Sequence, residues 1–152
     1  MNNQKQCAGM VDIAHKDMTV RRAVAEGAIM LKPKAFKALI TDKSPKGNVF
    51  ETAKIAGVLA AKSTPLFVPL CHPLNLESVK VNFEILKSKN TVRVQAQVSC
   101  CGKTGVEMEA LAAVSAACLT IYDMMKWAGQ DMAISGIRLV HKSGGKSGVF
   151  QR

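Results

Sequence analysis

Two hydrophobic periods divide this chain, and the clearest stretch has a period of two. Val79, Val81, Phe83 and Ile85 alternate with Ser78, Lys80, Asn82 and Glu84. After the polar run Lys87-Ser88-Lys89-Asn90, the alternation resumes through Val92, Val94, Ala96 and Val98. Successive strand residues point to opposite faces, so this pattern predicts a β-hairpin with one buried face. Segments of helical period flank it. The first runs from about Val49 to Lys62, follows Pro45 and Gly47, and repeats Val49, Ala53, Ala56 and Ala60 on one side. The second runs from about Val106 to Trp127, and its middle, Ala110 to Tyr122, carries no charge on any side. A helix that is apolar all round has to be covered on most of its surface. One sheet covers a single side, so a subunit partner is expected on the other.

The ends of the chain are less sharply patterned. Thr19 to Leu31 fits a strand or a weak helix, because neither period dominates, and Ile134 to His141 reads as a strand before a glycine-rich tail. Pro33 to Thr41 adds a short helix. With the first segment taken as a strand, the order is βαββαβ, which predicts an α+β, ferredoxin-like plait with one additional short helix. No internal repeat is present. The expected organisation is a flexible N-terminus over residues 1–9 and a single domain over residues 10–152, closing in a glycine-rich basic segment.

Composition narrows the classes of function. With 152 residues, 48% of them apolar, the chain can build a core without metal or disulfide staples. The formal net charge of +10, from 21 Lys+Arg against 11 Asp+Glu, attracts polyanions without saying which. Aromatics are only 5%, too few for a base-stacking platform. The five cysteines, Cys7, Cys71, Cys100, Cys101 and Cys118, are odd in number and form no CxxC pair. That is neither a disulfide framework nor a zinc pattern. The N-terminal residues lack a signal-peptide apolar core, and the uncharged run is too short to span a bilayer. These features predict a soluble cytoplasmic protein with reduced thiols and no membrane partner. The scarcity of aromatics argues against a nucleic acid partner, although charge alone does not separate a substrate pocket from an RNA-binding face.

Polar groups concentrate where a core would not place them. Lys46-Gly47-Asn48-Val49 puts a cation at the opening of a helix, where unpaired backbone N–H groups attract anions; a solvated loop lysine is the competing reading. In Pro69-Leu70-Cys71-His72-Pro73-Leu74 two prolines stiffen a turn that carries a thiol and an imidazole. One Cys-His pair is too few ligands for a metal, so a positioned substrate or proton group competes with an ordinary packed histidine. In Lys103-Thr104-Gly105-Val106-Glu107-Met108-Glu109, acids in a first helical turn complement the helix dipole. Yet Glu107 and Glu109 point about 200° apart on a helix, so one of them has to face a cavity or an interface. Asp123 and Lys126, at i and i+3, follow thirteen uncharged residues and can exchange a proton, against a surface salt bridge as the plain alternative. The tail Lys142-Ser143-Gly144-Gly145-Lys146-Ser147-Gly148 is not a P-loop, because the earlier glycine would fall on Val140 and no helix follows. Its two lysines can still close over phosphates, or form a loose basic tail.

Together these segments resemble the cyclic pyranopterin monophosphate synthase family. The strings in family order are Met10-Val11-Asp12, Lys46-Gly47-Asn48-Val49-Phe50, Ile55-Ala56-Gly57, Pro69-Leu70-Cys71-His72-Pro73-Leu74, Thr104-Gly105-Val106-Glu107-Met108-Glu109-Ala110-Leu111, Leu119-Thr120-Ile121-Tyr122-Asp123-Met124 and Lys142 to Gly148. The family pattern more often carries Asp where Asn48 stands, which removes a charge near Lys46 but no catalytic group. The resemblance implies a ferredoxin-like plait assembled as a hexamer, a trimer of dimers. It implies a lyase of molybdenum cofactor biosynthesis that converts 3',8-cyclo-7,8-dihydro-GTP to cyclic pyranopterin monophosphate and releases pyrophosphate. It gives Asp123 the catalytic acid/base role with Lys126 beside it, and lines the substrate site with Leu70, Cys71, His72, Met108 and Glu109. Lys46, Glu107, Lys142, Lys146 and Arg21 complete the polar pocket. No organic cofactor or dedicated metal site is implied; magnesium can arrive with the triphosphate.

Because Glu109 and Asp123 are fourteen residues apart on one helix, their backbones lie about 21 Å apart. Either a long substrate bridges them or the site is shared between two chains. A non-catalytic basic RNA-binding plait is the alternative, and it lacks the exposed aromatics such a sheet should carry. A regulatory plait that binds a small molecule is a third reading, separated from the first by pyrophosphate release.

Overall fold

A computed structural model describes residues 8–152, so most of the expected flexible N-terminus lies outside the described residues. The elements in order are β1 (Thr19–Met30), α1 (Pro33–Ile40), α2 (Val49–Lys62), α3 (Thr64–Phe67), β2 (Ser78–Leu86), a 3-10 turn (Lys87–Lys89), β3 (Thr91–Gly102), α4 (Glu107–Met125), β4 (Ala133–Ser143) and β5 (Phe150–Gln151). The five strands form one antiparallel sheet in the order β2-β3-β1-β4-β5. The first four strands give the ferredoxin-like α+β arrangement that the βαββαβ order predicts, and β5 extends the edge.

The segment Thr19 to Leu31, undecided by periodicity, is the central strand of the sheet. Its composition explains the ambiguity: Ala23, Ala25, Gly27 and Ile29 are all buried, and three of the four are small. Small residues give a weak strand signal, but they let a helix lie close. A Cβ at Gly27 would sit 2.8 Å from Val114 Cγ1 of α4 and 3.0 Å from Ile137 Cγ1 of β4. Helices α2 and α4 pack side by side on this face, and the core between them and the sheet takes Val81, Val92, Val94, Ala96 and Val98 from the predicted hairpin.

The hairpin and α2 lie where predicted, with two differences. Strand β3 runs on past Val98 to Gly102, because Cys100 buried and Cys101 exposed continue the alternation. The buried stripe of α2 is Val49, Ala53, Gly57 and Ala61, so Ala56 and Ala60 lie one residue off it. That i, i+4 stripe puts glycine where α2 crosses α4. The four-residue α3 and the two-residue β5 are too short to leave a periodic signal. Helix α2 starts at Asn48, whose Oδ1 accepts a hydrogen bond from the Glu51 amide at 2.9 Å, a favoured helix cap. The residue at which the chain departs from the family pattern therefore retains its structural part.

The close crossing gives a direct test. A Cβ at Gly57 would lie 3.0 Å from both the Ala113 carbonyl oxygen and Val81 Cγ2. Gly57→Val should lower stability by about 1–3 kcal/mol through overpacking, measured by urea unfolding. Gly129→Ala, where nothing lies within 4 Å of the added Cβ, should leave it nearly unchanged. Equal stability of the two variants would mean that the helices do not cross at Gly57.

Candidate functional site

The site is built around the start of α4, where three connections converge. The turn from β3 into α4 supplies Lys103, Thr104 and Gly105; β1 supplies Arg21; the glycine-rich segment after β4 supplies Lys146. Arg21 ties these together. Its Nε donates to the Gly102 carbonyl at 3.1 Å and a terminal nitrogen donates to the Lys103 carbonyl at 3.2 Å. Gly145, at φ +77, lies so close that a Cβ there would collide with the guanidinium. Both the left-handed backbone and the space call for glycine at this turn. Lys103 Nζ donates to the Ala14 carbonyl at 2.7 Å and holds the N-terminal segment against the same turn.

These connections enclose a basin of about 470 Å³ with Lys16, Arg21, Arg22, Lys103, Lys142 and Lys146 on its walls and only Asp17 and Glu107 opposing them. The Thr19 hydroxyl oxygen is buried here without a hydrogen-bond partner. A second cavity of about 460 Å³ adjoins the basin and shares Lys16, Thr104, Gly105 and Glu107 with it. It is less polar, and adds Leu70, Cys71, His72, Met108 and Glu109 to Val11, Ile13 and Leu74.

Glu109 is 3% exposed on the first turn of α4. Burial pushes its carboxyl up, against a backbone hydrogen bond that lowers it, and the neighbouring Glu107 carboxylate adds to the rise. Glu109 therefore holds a proton more readily than an ordinary carboxylate. Burial first, and then Glu109, also raise the Cys71 thiol, which keeps it neutral; thiols react as thiolates, so Cys71 is suited to packing against a ligand and not to nucleophilic attack. Glu107 faces Lys142, with Oε1 3.1 Å from Nζ. Both acids of the first turn thus face the cavities.

A second polar cluster lies at the far end of α4. Asp123 accepts from Lys126 Nζ at 2.8 Å through one carboxylate oxygen and from Lys46 Nζ at 2.6 Å through the other. The loop before α2 that carries Lys46 is held there by Ser44, whose hydroxyl donates to the Met124 carbonyl at 3.3 Å. Of the residues expected from the sequence, Leu70, Cys71, His72, Met108, Glu107, Glu109, Arg21, Lys142 and Lys146 share the two joined cavities. Lys46, Asp123 and Lys126 form a separate exposed cluster. Lys16, Arg22 and Lys103 were not anticipated as basin residues. Lys103 stood in a segment already singled out and Arg22 adjoins Arg21, but Lys16 has no local signal, since it reaches the basin only through the fold. Among the described residues no group of three or more His, Cys, Asp or Glu side chains is placed to hold a metal.

Hydrogen bonds from Lys126 and then Lys46 bring the Asp123 carboxyl from its usual 3.8 down to about 2. The folded value lies below the ordinary one. Its contribution to stability is therefore complete above the ordinary value and lost as pH falls through about 2. A titration of this carboxyl by nuclear magnetic resonance should place its midpoint near 2, and Lys126→Ala should move it upward. A midpoint at the ordinary value in the unaltered protein would mean that the two lysines do not hold it.

Comparison with known proteins identifies the family of the chain. Residues 10–145 match the MoaC family. A cyclic pyranopterin monophosphate synthase of Pelotomaculum thermopropionicum is 49% identical over 145 residues, 95% of this chain and 85% of that protein. Those of Roseiflexus sp. and Parvibaculum lavamentivorans are 52% identical over 143 residues and 46% over 149, covering 94% and 98% of this chain and 90% and 93% of theirs. With most of its length aligned at this identity and residues 10–145 inside the family match, the chain belongs to the MoaC family.

Proposed function

We propose that this chain is a lyase of molybdenum cofactor biosynthesis that converts 3',8-cyclo-7,8-dihydro-GTP to cyclic pyranopterin monophosphate and pyrophosphate. The observation that carries the reading is the pairing of the two cavities. A basin rich in cations suits a triphosphate, and the adjoining less polar cavity, with a proton-holding carboxyl, a thiol and an imidazole, suits a purine-derived ring. In the reaction a ribose hydroxyl closes on the α-phosphorus as the bond to the leaving pyrophosphate breaks, so negative charge gathers on the departing oxygens. Lys142 and Lys146 are placed to stabilise that charge as it develops. Rearranging the ring needs protons moved on and off nitrogen and carbon; Glu109 and His72 are the groups at hand. No organic cofactor enters this chemistry, and magnesium comes bound to the triphosphate.

Asp123 takes a particular part in this scheme. A carboxylate whose pKa is near 2 is a weak base on its own. Flanked by two ammonium groups, it can hold a lysine for proton delivery and stabilise the proton's return. It lies about 21 Å along α4 from Glu109, so we place it in the site of a neighbouring chain within a hexamer, a trimer of dimers. What supports this is the outer side of α4, where Leu119 is 61% exposed and Met108 39%. Cytoplasmic location goes with the reading, since free thiols such as Cys71 and Cys101 persist in a reducing compartment. The RNA-binding alternative has less behind it. The open face of the hairpin carries Lys80, Asn82, Glu84, Arg93, Gln95 and Gln97, and Arg93 is neutralised by Glu84 at 2.8 Å.

Turnover of the cyclic dihydro-GTP, with both products identified by mass spectrometry, tests the activity. Asp123→Asn should melt close to the unaltered protein and yield no product; residual activity tracking the folded fraction would make the residue structural. Mixing inactive Glu109→Gln and Asp123→Asn chains under subunit exchange tests the shared site. Mixed dimers hold one site with both lesions and one with neither, so activity should return. Verified mixed oligomers that stay inactive would assign the two residues to one chain's site.

A further inference from the structure

We infer that Glu107 competes with the phosphate chain for Lys142 and so weakens the hold of the basin on pyrophosphate after turnover. The inference rests on the proposed reaction and deepens it. Glu107 lines both cavities, at their junction. One carboxylate oxygen lies 3.1 Å from Lys142 Nζ, with both side chains about a third exposed or less. The other oxygen folds back over Gly105, so closely that a Cβ on Gly105 would collide with it. Any polyanion reaching from the basin into the ring cavity therefore passes a carboxylate already seated on one of the basin's lysines.

Complementing the helix dipole requires an acid in the first turn of α4 but does not require it to be seated on Lys142. A phosphate-releasing site does need something like it. A basin with six cations on its walls binds a departing pyrophosphate tightly, and tight product binding slows turnover. A carboxylate that regains Lys142 as the pyrophosphate leaves shortens its stay. Close like charges also raise the free energy of the bound anion selectively where the two meet.

The test is calorimetric binding of inorganic pyrophosphate to the full chain. Glu107→Gln should bind it at least about threefold more tightly, and turnover should become more sensitive to added pyrophosphate. Glu107→Asp, which retains the charge but is too short to reach Lys142, should lose the pairing and keep the repulsion, giving an intermediate affinity. The gain must depend on Lys142. In a Lys142→Ala background, Glu107→Gln should add only the smaller, repulsive part of its gain. Asp17→Asn, at a basin acid with no ion pair in the described structure, should give a smaller gain than Glu107→Gln in the unaltered background. Thermal melting of each variant confirms folding. A Glu107→Gln protein that binds pyrophosphate no more tightly than the unaltered one overturns the inference while leaving the basin as the phosphate site. So does a gain that persists undiminished without Lys142. If the unaltered protein binds no pyrophosphate although it releases it from substrate, the basin assignment falls and the inference with it.

Discussion

The packing of α4 against β1 is the constraint on which both halves of the site depend. Gly27 leaves room for Val114, and Ala110, Ala113, Ala117, Cys118 and Ile121 are fully buried along the same side of the helix. Burial of this kind removes apolar surface from water in rough proportion to area, and it tolerates little change in side-chain volume. Because the helix is continuous from Glu107 to Met125 and buried along its length, its two ends are held apart. Glu107 and Glu109 enter the cavities at one end, and Asp123 leaves them for the lysines at the other. A smaller buried stripe would let the helix tilt, and neither end would then hold its geometry.

Charge is distributed to match. The net excess of +10 is not spread evenly. On the sheet, Arg138 pairs with Glu26 at 2.6 Å and Arg93 with Glu84 at 2.8 Å, so cations there meet local acids. Exposed pairs of this sort add little to stability, on the order of 0–1 kcal/mol. At the basin the balance is different, with six basic residues against two acids on its walls. Arg21, Lys103 and Lys142 have partners within the fold, whereas Lys16, Arg22 and Lys146 add like charge that a polyanion would offset. The buried carboxyl of Glu109 is the converse case. Its burial raises its affinity for a proton, so it adds little negative charge to the cavity it lines.

Much of the fold was legible because its signals are local. The hairpin alternation of Val79 to Val98 and the stretch Val49 to Lys62 follow from the two-residue and 3.6-residue periods alone. β1 was undecided because Ala and Gly were chosen for helix clearance, a tertiary demand that obscures strand propensity. The buried side of α2 was off by one residue for a related reason: glycine at 57 counts as apolar surface only once α4 lies against it. In the site, Cys71, His72 and Glu109 stand in strings that residue type alone singles out, whereas Leu70 and Met108 have no such chemistry and were implied only by the family resemblance. Lys16 could not be read either way, because its part depends on Lys103 holding the segment 13–17 over the basin.

What the sequence by itself determined is the hairpin, the helices α2 and α4, their order, and the chemical groups available on each. Backbone geometry converts local spacing into faces, and no distant residue can change which side chains share one. What only the tertiary structure decided is which of those groups meet. Lys46 reaches Asp123 across 77 positions, and Lys142 reaches Glu107 from the far end of the sheet. These encounters depend on how strands register and how closely a helix approaches them, and such distances are set by packing over many residues at once. The same packing keeps Glu109 and Asp123 apart on one helix, a separation that spacing predicts in length but whose consequence for a single chain appears only when both ends are in place.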